Sequence, residues 1–288
     1  MEKKKKSGLY LQRLKEIKEM NLTSDLFSSV VFEDIKAVED VLRVLTGIRD
    51  IHVIQVIPQK SKRNLYGHGV VLDIWAEDSK ERQYTMEIQM PENEDHLRRS
   101  RFIQSLIDTR GFESGEEYGK LPELYIIFIT EKDFLNVKTG VKRVVRVIEG
   151  TTCRVENGVH EIFVNLEYST ENDDVNELLK YIKNTKEEVE VKGLENLVRR
   201  VNYLKNEPGG VQYMCKTMER ERAEGRIEGD LFRLIKVVLN MRKKGMNILE
   251  ISDILDEDKK NIETILFTAD EVKSEDIQVV YQYMIEQL

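Results

Sequence analysis

The run LYIIFI, residues 124–129, is apolar at every position and lies between Pro122 and the polar stretch that begins at Thr130. A strand without polar alternation is covered on both faces, and helices supply such cover around a sheet. Four other segments read as strands. IHVIQVI (51–57) is rich in β-branched residues and stops at Pro58, GVVLDIWA (69–76) and QYTMEIQM (83–90) flank a charged hairpin connection, and EIFVNL (161–166) follows. Between them the apolar spacing turns helical. Thr23, Ser24 and Asp25 offer N-caps for one long helix ending at Gly47, and a second runs from about residue 95 to 110. Its Leu97, Phe102, Ile103, Leu106 and Ile107 form the expected buried stripe. From Asn172 onward every segment repeats at helical spacing, with Pro208–Gly209–Gly210 as the strong break. The order predicts an α/β core over residues 22–168 and an all-helical C-terminal region over 172–288.

Composition narrows the function. The formal net charge of −8 argues against a protein that coats nucleic acid through an overall positive field. Lys3–Lys6 reads as a solvated, frayed terminus. Cys153 and Cys215 have no CxxC spacing, and His52, His68, His96 and His160 have no ligand spacing. Neither a disulfide framework nor a zinc site is supported. No apolar run approaches the roughly 18–20 residues of a membrane span, so no membrane partner is expected and a cytoplasmic location is.

The chemistry concentrates on the second and third strands. Side chains alternate along a strand, so Glu87 and Gln89 share one face while Tyr84, Met86 and Ile88 take the other, toward the core. If the hairpin centres on Lys80, Asp73 falls opposite Glu87, with Cβ atoms about 4.5–5.5 Å apart. Two carboxylates at that distance repel and raise one pKa. A hard cation such as Mg²⁺ resolves the conflict and acidifies a bound water. The plainer alternative makes these residues the solvated face of a hairpin, with Lys80 or Arg82 as ion partners.

LDIWAED, MEIQM, RRSRFIQSLID and ELYIIFITEKD, in this order, resemble the PD-(D/E)XK nuclease family transposases, the recombination-promoting nucleases of the Rpn type. The similarity runs from about Leu22 to Leu166. It implies a restriction-endonuclease-like core, a mixed β-sheet flanked by helices, and cleavage of double-stranded DNA with Mg²⁺ or Mn²⁺. On this resemblance Asp73 and Glu87 are the metal-binding acids, and Gln89 completes the catalytic set. Gln89 stands where the wider superfamily has lysine, so it offers a dipole in place of a charge. That departure implies a weak enzyme, or one active on special DNA. The helix after Gln89 borders the cleft in that family, which makes Arg99, Arg101 and Gln104 supporting residues that brace Glu87 or meet a DNA phosphate. Arginine suits bidentate phosphate contact.

Glu33 or Asp34 would supply a further acid, or each is an exposed helix acid. The tail contains GMNILEISDILDEDKKNIETIL (245–266), a short helix, a turn near Asp256–Asp258 and a second helix. It reads as a helix-turn-helix module or as a packing unit, and a homodimer through the helical C-terminal region is one arrangement it permits. A metal-dependent DNA endonuclease is the leading expectation. The alternative is a catalytically weakened nucleic-acid-binding or protein-interaction module that keeps the fold.

Overall fold

A computed structural model of the chain describes residues 2–62, 70–89, 95–111, 115, 117–185 and 192–287. Helices α1 (Glu2–Glu19), α2 (Asp25–Val31) and α3 (Ile35–Thr46) precede strands β1 (Val53–Lys62), β2 (Val70–Asp78) and β3 (Gln83–Gln89). Then come α4 (His96–Gly111), β4 (Leu124–Thr130), β5 (Val141–Arg143) and β6 (Val159–Asn165). Helices α5 (Asp173–Lys183), α6 (Glu195–Asn206), α7 (Pro208–Lys243), α8 (Ile248–Leu255), α9 (Lys259–Glu271) and α10 (Ile277–Gln287) follow. The chain divides into two compact units, Met1–Cys215 and Lys216–Leu288.

In the first unit the strands form one mixed sheet in the order β1-β2-β3-β4-β6-β5. Strand β4 lies between parallel partners β3 and β6, and all its residues but Tyr125 are buried. That position explains its unbroken apolar sequence. The parallel β3–β4 pair is joined through α4, as a parallel connection requires. Ile103 and Ile107 of α4 pack on Trp75, Ile126, Phe128 and Phe163 of the sheet. This is the α/β core flanked by helices, with a helical C-terminal run, that the sequence pattern predicts.

Several expectations need correction. The long helix expected between Thr23 and Gly47 is two helices, because Asp34 caps a new start by accepting from the Lys36 and Ala37 N–H groups. Periodic apolar residues on both sides of the turn hide the break. Strand β1 does not end at Pro58 but pairs it with Ile74 and continues. Proline is tolerated there because β1 is an edge strand. Lys3–Lys6 lies within α1. Leu97 is exposed, leaving Ile103, Leu106 and Ile107 as the fully buried part of the α4 stripe. Pro208 separates α6 from α7 by opening the second helix, where its missing N–H costs nothing. Gly210 continues α7 across the α6 backbone, where an added Cβ would sit 2.1 Å from the Tyr203 carbonyl oxygen.

Two buried polar groups tie distant parts of this unit together. The Asp40 carboxylate in α3 accepts from the Asn196 and Leu197 N–H groups (2.8 and 3.2 Å), capping α6 from outside its own sequence. The Lys205 ammonium of α6 is buried among carbonyl oxygens of Lys18 (3.3 Å), Met20 (2.5 Å) and Thr185 (3.1 Å). In the second unit α8 opens with an Asn247–Glu250 capping box and ends at Asp256, which has φ +52°. Asp258 then caps α9, giving the helix, turn and helix expected over residues 245–266.

Candidate active site

The site grows out of the hairpin joining β2 and β3. Its turn is exposed at Ser79, Lys80 and Glu81, as a charged connection should be, but Asp78 at the end of β2 is fully buried. The Asp78 carboxylate accepts from Lys80 N–H (2.9 Å), Arg82 N–H (3.1 Å), Arg82 Nε (2.6 Å) and Tyr84 Oη (2.9 Å). Lys80 pairs with Asp50 instead, and Arg82 also reaches Asp50. These bonds lock a turn whose register pairs Glu77 with Gln83, Trp75 with Thr85 and Ile74 with Met86.

Continuing that register places Asp73 across from Glu87, but the backbone ladder stops at Ile74–Met86. From there the two carboxylates take over. The Asp73 N–H donates to Glu87 Oε1 (3.3 Å), and the Ile88 N–H donates to Asp73 Oδ2 (2.8 Å). Each acid thus reaches across to the other strand, and together they fill the fork where the strands part. The regular alternation of β2 is also lost here. Leu72 and Trp75, three positions apart, join one buried cluster.

Glu87 is held on every side. Thr85 Oγ1 donates to Oε1 at 3.1 Å, and Arg99 Nη2 from α4 lies 3.0 Å from Oε2. The Glu87 side chain is 0% exposed, against 28% for Arg99. The expected solvated hairpin face is therefore wrong for Glu87, because α4 covers that face as fully as the core covers the other. Its neighbours in register, Phe128 on β4 and then Phe163 on β6, are buried too. Burial, and next the negative charge of Asp73, push the Glu87 carboxyl up to about 7, while Arg99 and Thr85 pull it back. Two carboxylates brought together, with oxygen donors on both, suit a hard divalent cation held between them. Among the described residues no group of three or more His, Cys, Asp or Glu side chains gathers as a metal site. The remaining ligands would come from backbone, water or substrate.

Of the residues singled out in the sequence, Asp73, Glu87 and Arg99 come together here. The Gln89 side chain lies outside the described residues; its backbone pairs with Thr130 at the end of β3. Arg101 is exposed, and Gln104 donates to Asp108 at 3.4 Å along α4. Burial raises the Asp108 pKa, and Gln104 offsets part of that. The brace on Glu87 is therefore Arg99. Asp34 serves as the α3 cap, and Glu33 binds Arg200 (3.2 Å) and Tyr213 Oη (3.0 Å). Thr85 escaped the sequence reading, although its position two residues before Glu87 puts it on the same face.

No curated protein and no solved structure matches the chain. A family model described as PD-(D/E)XK nuclease family transposase matches residues 35–224. That span is well over half of the chain and contains the β2–β3 fork, α4 and the sheet, so the chain belongs to the PD-(D/E)XK nuclease family transposases.

Proposed function

We propose that this protein is a divalent-metal-dependent DNA endonuclease that hydrolyses phosphodiester bonds in double-stranded DNA. The observation that carries the reading is the fork at Asp73 and Glu87, where two carboxylates converge and one is buried with a raised pKa. Strongly perturbed acids with a specific charge partner mark functional sites. Family membership supports the same conclusion.

Asp73 and Glu87 would hold Mg²⁺ or Mn²⁺. When bound, the ion supplies positive charge for the scissile phosphate and acidifies the attacking water. Thr85 holds the Glu87 carboxylate in one orientation through Oε1, and Arg99 neutralises it through Oε2 in the metal-free protein. Gln89, at the end of the same strand, orients the water or the phosphate through its amide. Arg101 and Gln104 extend along α4 as supporting residues, and the exposed Arg101 is placed to meet DNA charge. The α8–α9 pair would contact DNA or a second copy of the chain. No described helix is long and apolar enough to cross a membrane, and a cytoplasmic place of action belongs to the same proposal.

Plasmid nicking with Mg²⁺ or Mn²⁺ tests the reading. Wild-type protein should nick, while Asp73→Asn and Glu87→Gln should lose activity by orders of magnitude and keep their fold. The glutamine at position 89 and the net charge of −8 favour a second reading, a catalytically weakened binding module. Wild-type protein that retards DNA on a gel but leaves it as intact as both variants do would establish that second reading.

A further inference from the structure

The bonds that hold Glu87 also stand in the way of a cation. Oε1 accepts from Thr85 Oγ1 and the Asp73 N–H, while Oε2 carries the Arg99 guanidinium at 3.0 Å. An ion bridging Asp73 and Glu87 needs an oxygen from each acid. A guanidinium and a divalent cation are both positive, so sharing one carboxylate sets them against each other. The protein bonds to Oε1 come from a hydroxyl and a backbone N–H, which carry no charge. Arg99 is the one cationic partner of Glu87 among the described residues. Its side chain is 28% exposed, whereas those of Glu87 and Thr85 are buried. It stands one position from Arg98, which is 79% exposed and bound only to the surface acid Asp95, and two from the exposed Arg101. Its partial exposure gives a released guanidinium a way out to solvent, and Arg98 and Arg101, three apart on the same helix, add positive charge where a DNA phosphate would arrive.

We propose that Arg99 is an exchangeable counter-ion: it neutralises Glu87 until a divalent cation takes its place, and the freed guanidinium then binds a DNA phosphate. This rests on the nuclease reading and adds a coupling to it. Metal loading would convert Arg99 from an internal ion pair into a substrate contact, so metal and DNA would each strengthen the binding of the other, and by the same factor. Arg99 acts through Glu87 and is a positioning residue in the metal-free protein.

The test measures Mn²⁺ binding by calorimetry without DNA, for wild type, Arg99→Gln, Arg99→Lys and Glu87→Gln. Thermal unfolding followed by circular dichroism confirms that each variant is folded. Arg99→Gln should bind Mn²⁺ on the order of tenfold more tightly than wild type, the scale of one lost charge-assisted hydrogen bond. Arg99→Lys, with a charge but no planar fork, should fall between them. A phosphorothioate-linked duplex, followed by fluorescence anisotropy, should bind wild type more tightly once Mn²⁺ is added. That gain should shrink in Arg99→Gln. Mn²⁺ binding to Arg99→Gln that is equal to or weaker than wild type would overturn the exchange, leaving Arg99 as a permanent brace. If neither protein binds Mn²⁺, the nuclease reading falls as well. If wild type binds and Glu87→Gln does not, that reading stands whatever Arg99 does.

Discussion

Replacing Glu87 by glutamine should stabilise the protein at neutral and alkaline pH while disabling its chemistry. Glutamine has nearly the shape of a protonated glutamic acid, so the substitution fixes the neutral form that the buried site prefers. In the folded chain Glu87 keeps its proton up to about pH 7, against an ordinary value of 4.5. The sign follows from proton counting. Between pH 4.5 and 7 the folded state holds a proton that the unfolded state has released, so wild-type stability falls across that window as pH rises. The full difference, reached above pH 7, is about 3 kcal/mol. For a unit of this size, 3 kcal/mol corresponds to about 6–12 °C in melting temperature. Thermal unfolding of both proteins from pH 4 to pH 8.5 reads this directly. The curves should coincide near pH 4 and separate in favour of Glu87→Gln by pH 8. Mg²⁺ should raise the wild-type melting temperature at pH 8 and leave the variant where it is. A variant that melts at or below wild type at pH 8, or a gap that does not change with pH, would refute the reasoning.

Three further outcomes follow from the buried ties of the first unit. Asp40→Ala removes the acceptor of two N–H groups at the start of α6 and should cost about 2–3 kcal/mol in urea unfolding. Lys205→Met keeps the apolar stem but leaves the Met20 and Thr185 carbonyls without their donor, so a loss of about 3 kcal/mol is expected by the same measurement. Gly210→Ala sets a methyl 2.1 Å from a backbone oxygen that no side-chain movement can relieve. It should lower the melting temperature by an amount matching roughly 2–3 kcal/mol of overpacking, whereas Gly225→Ala, with open space around it in the same helix, should not.

The residues of the site were legible because strands obey a period of two and a hairpin has a centre. From Lys80 alone one can count seven residues each way and arrive at Asp73 and Glu87. What lay beyond counting was burial. The sheet face under Glu87 is covered by α4, and nothing local in QYTMEIQ says that this helix will deliver Arg99, 12 residues further on, to it. Strand β4 announced itself by composition, since a position between two parallel neighbours leaves no side for polar residues. Strand β5 has three residues and, among the described residues, pairs with β6 alone, which comes later in the chain, so it had no periodic signal. The α2–α3 break was hidden for the opposite reason: apolar residues recur at helical spacing on both sides of Asp34. Asp78 shows the general difficulty most clearly. In sequence it is one acid among six charged or polar residues, and only the folded turn makes it the acceptor of four hydrogen bonds.

The socket around Lys205 has a consequence for how the chain matures on the ribosome. The first helix ends against oxygens that are secured by the Thr185 hydroxyl and by an ammonium almost two hundred residues later. While the sheet strands are emerging, that end of α1 has no such anchor. A fragment trimmed to the sheet and its nearest helices would lose the clasp permanently, and with it the Asp40 attachment. The boundary for an independently folding piece therefore lies after α6, however complete the nuclease core looks by residue 168.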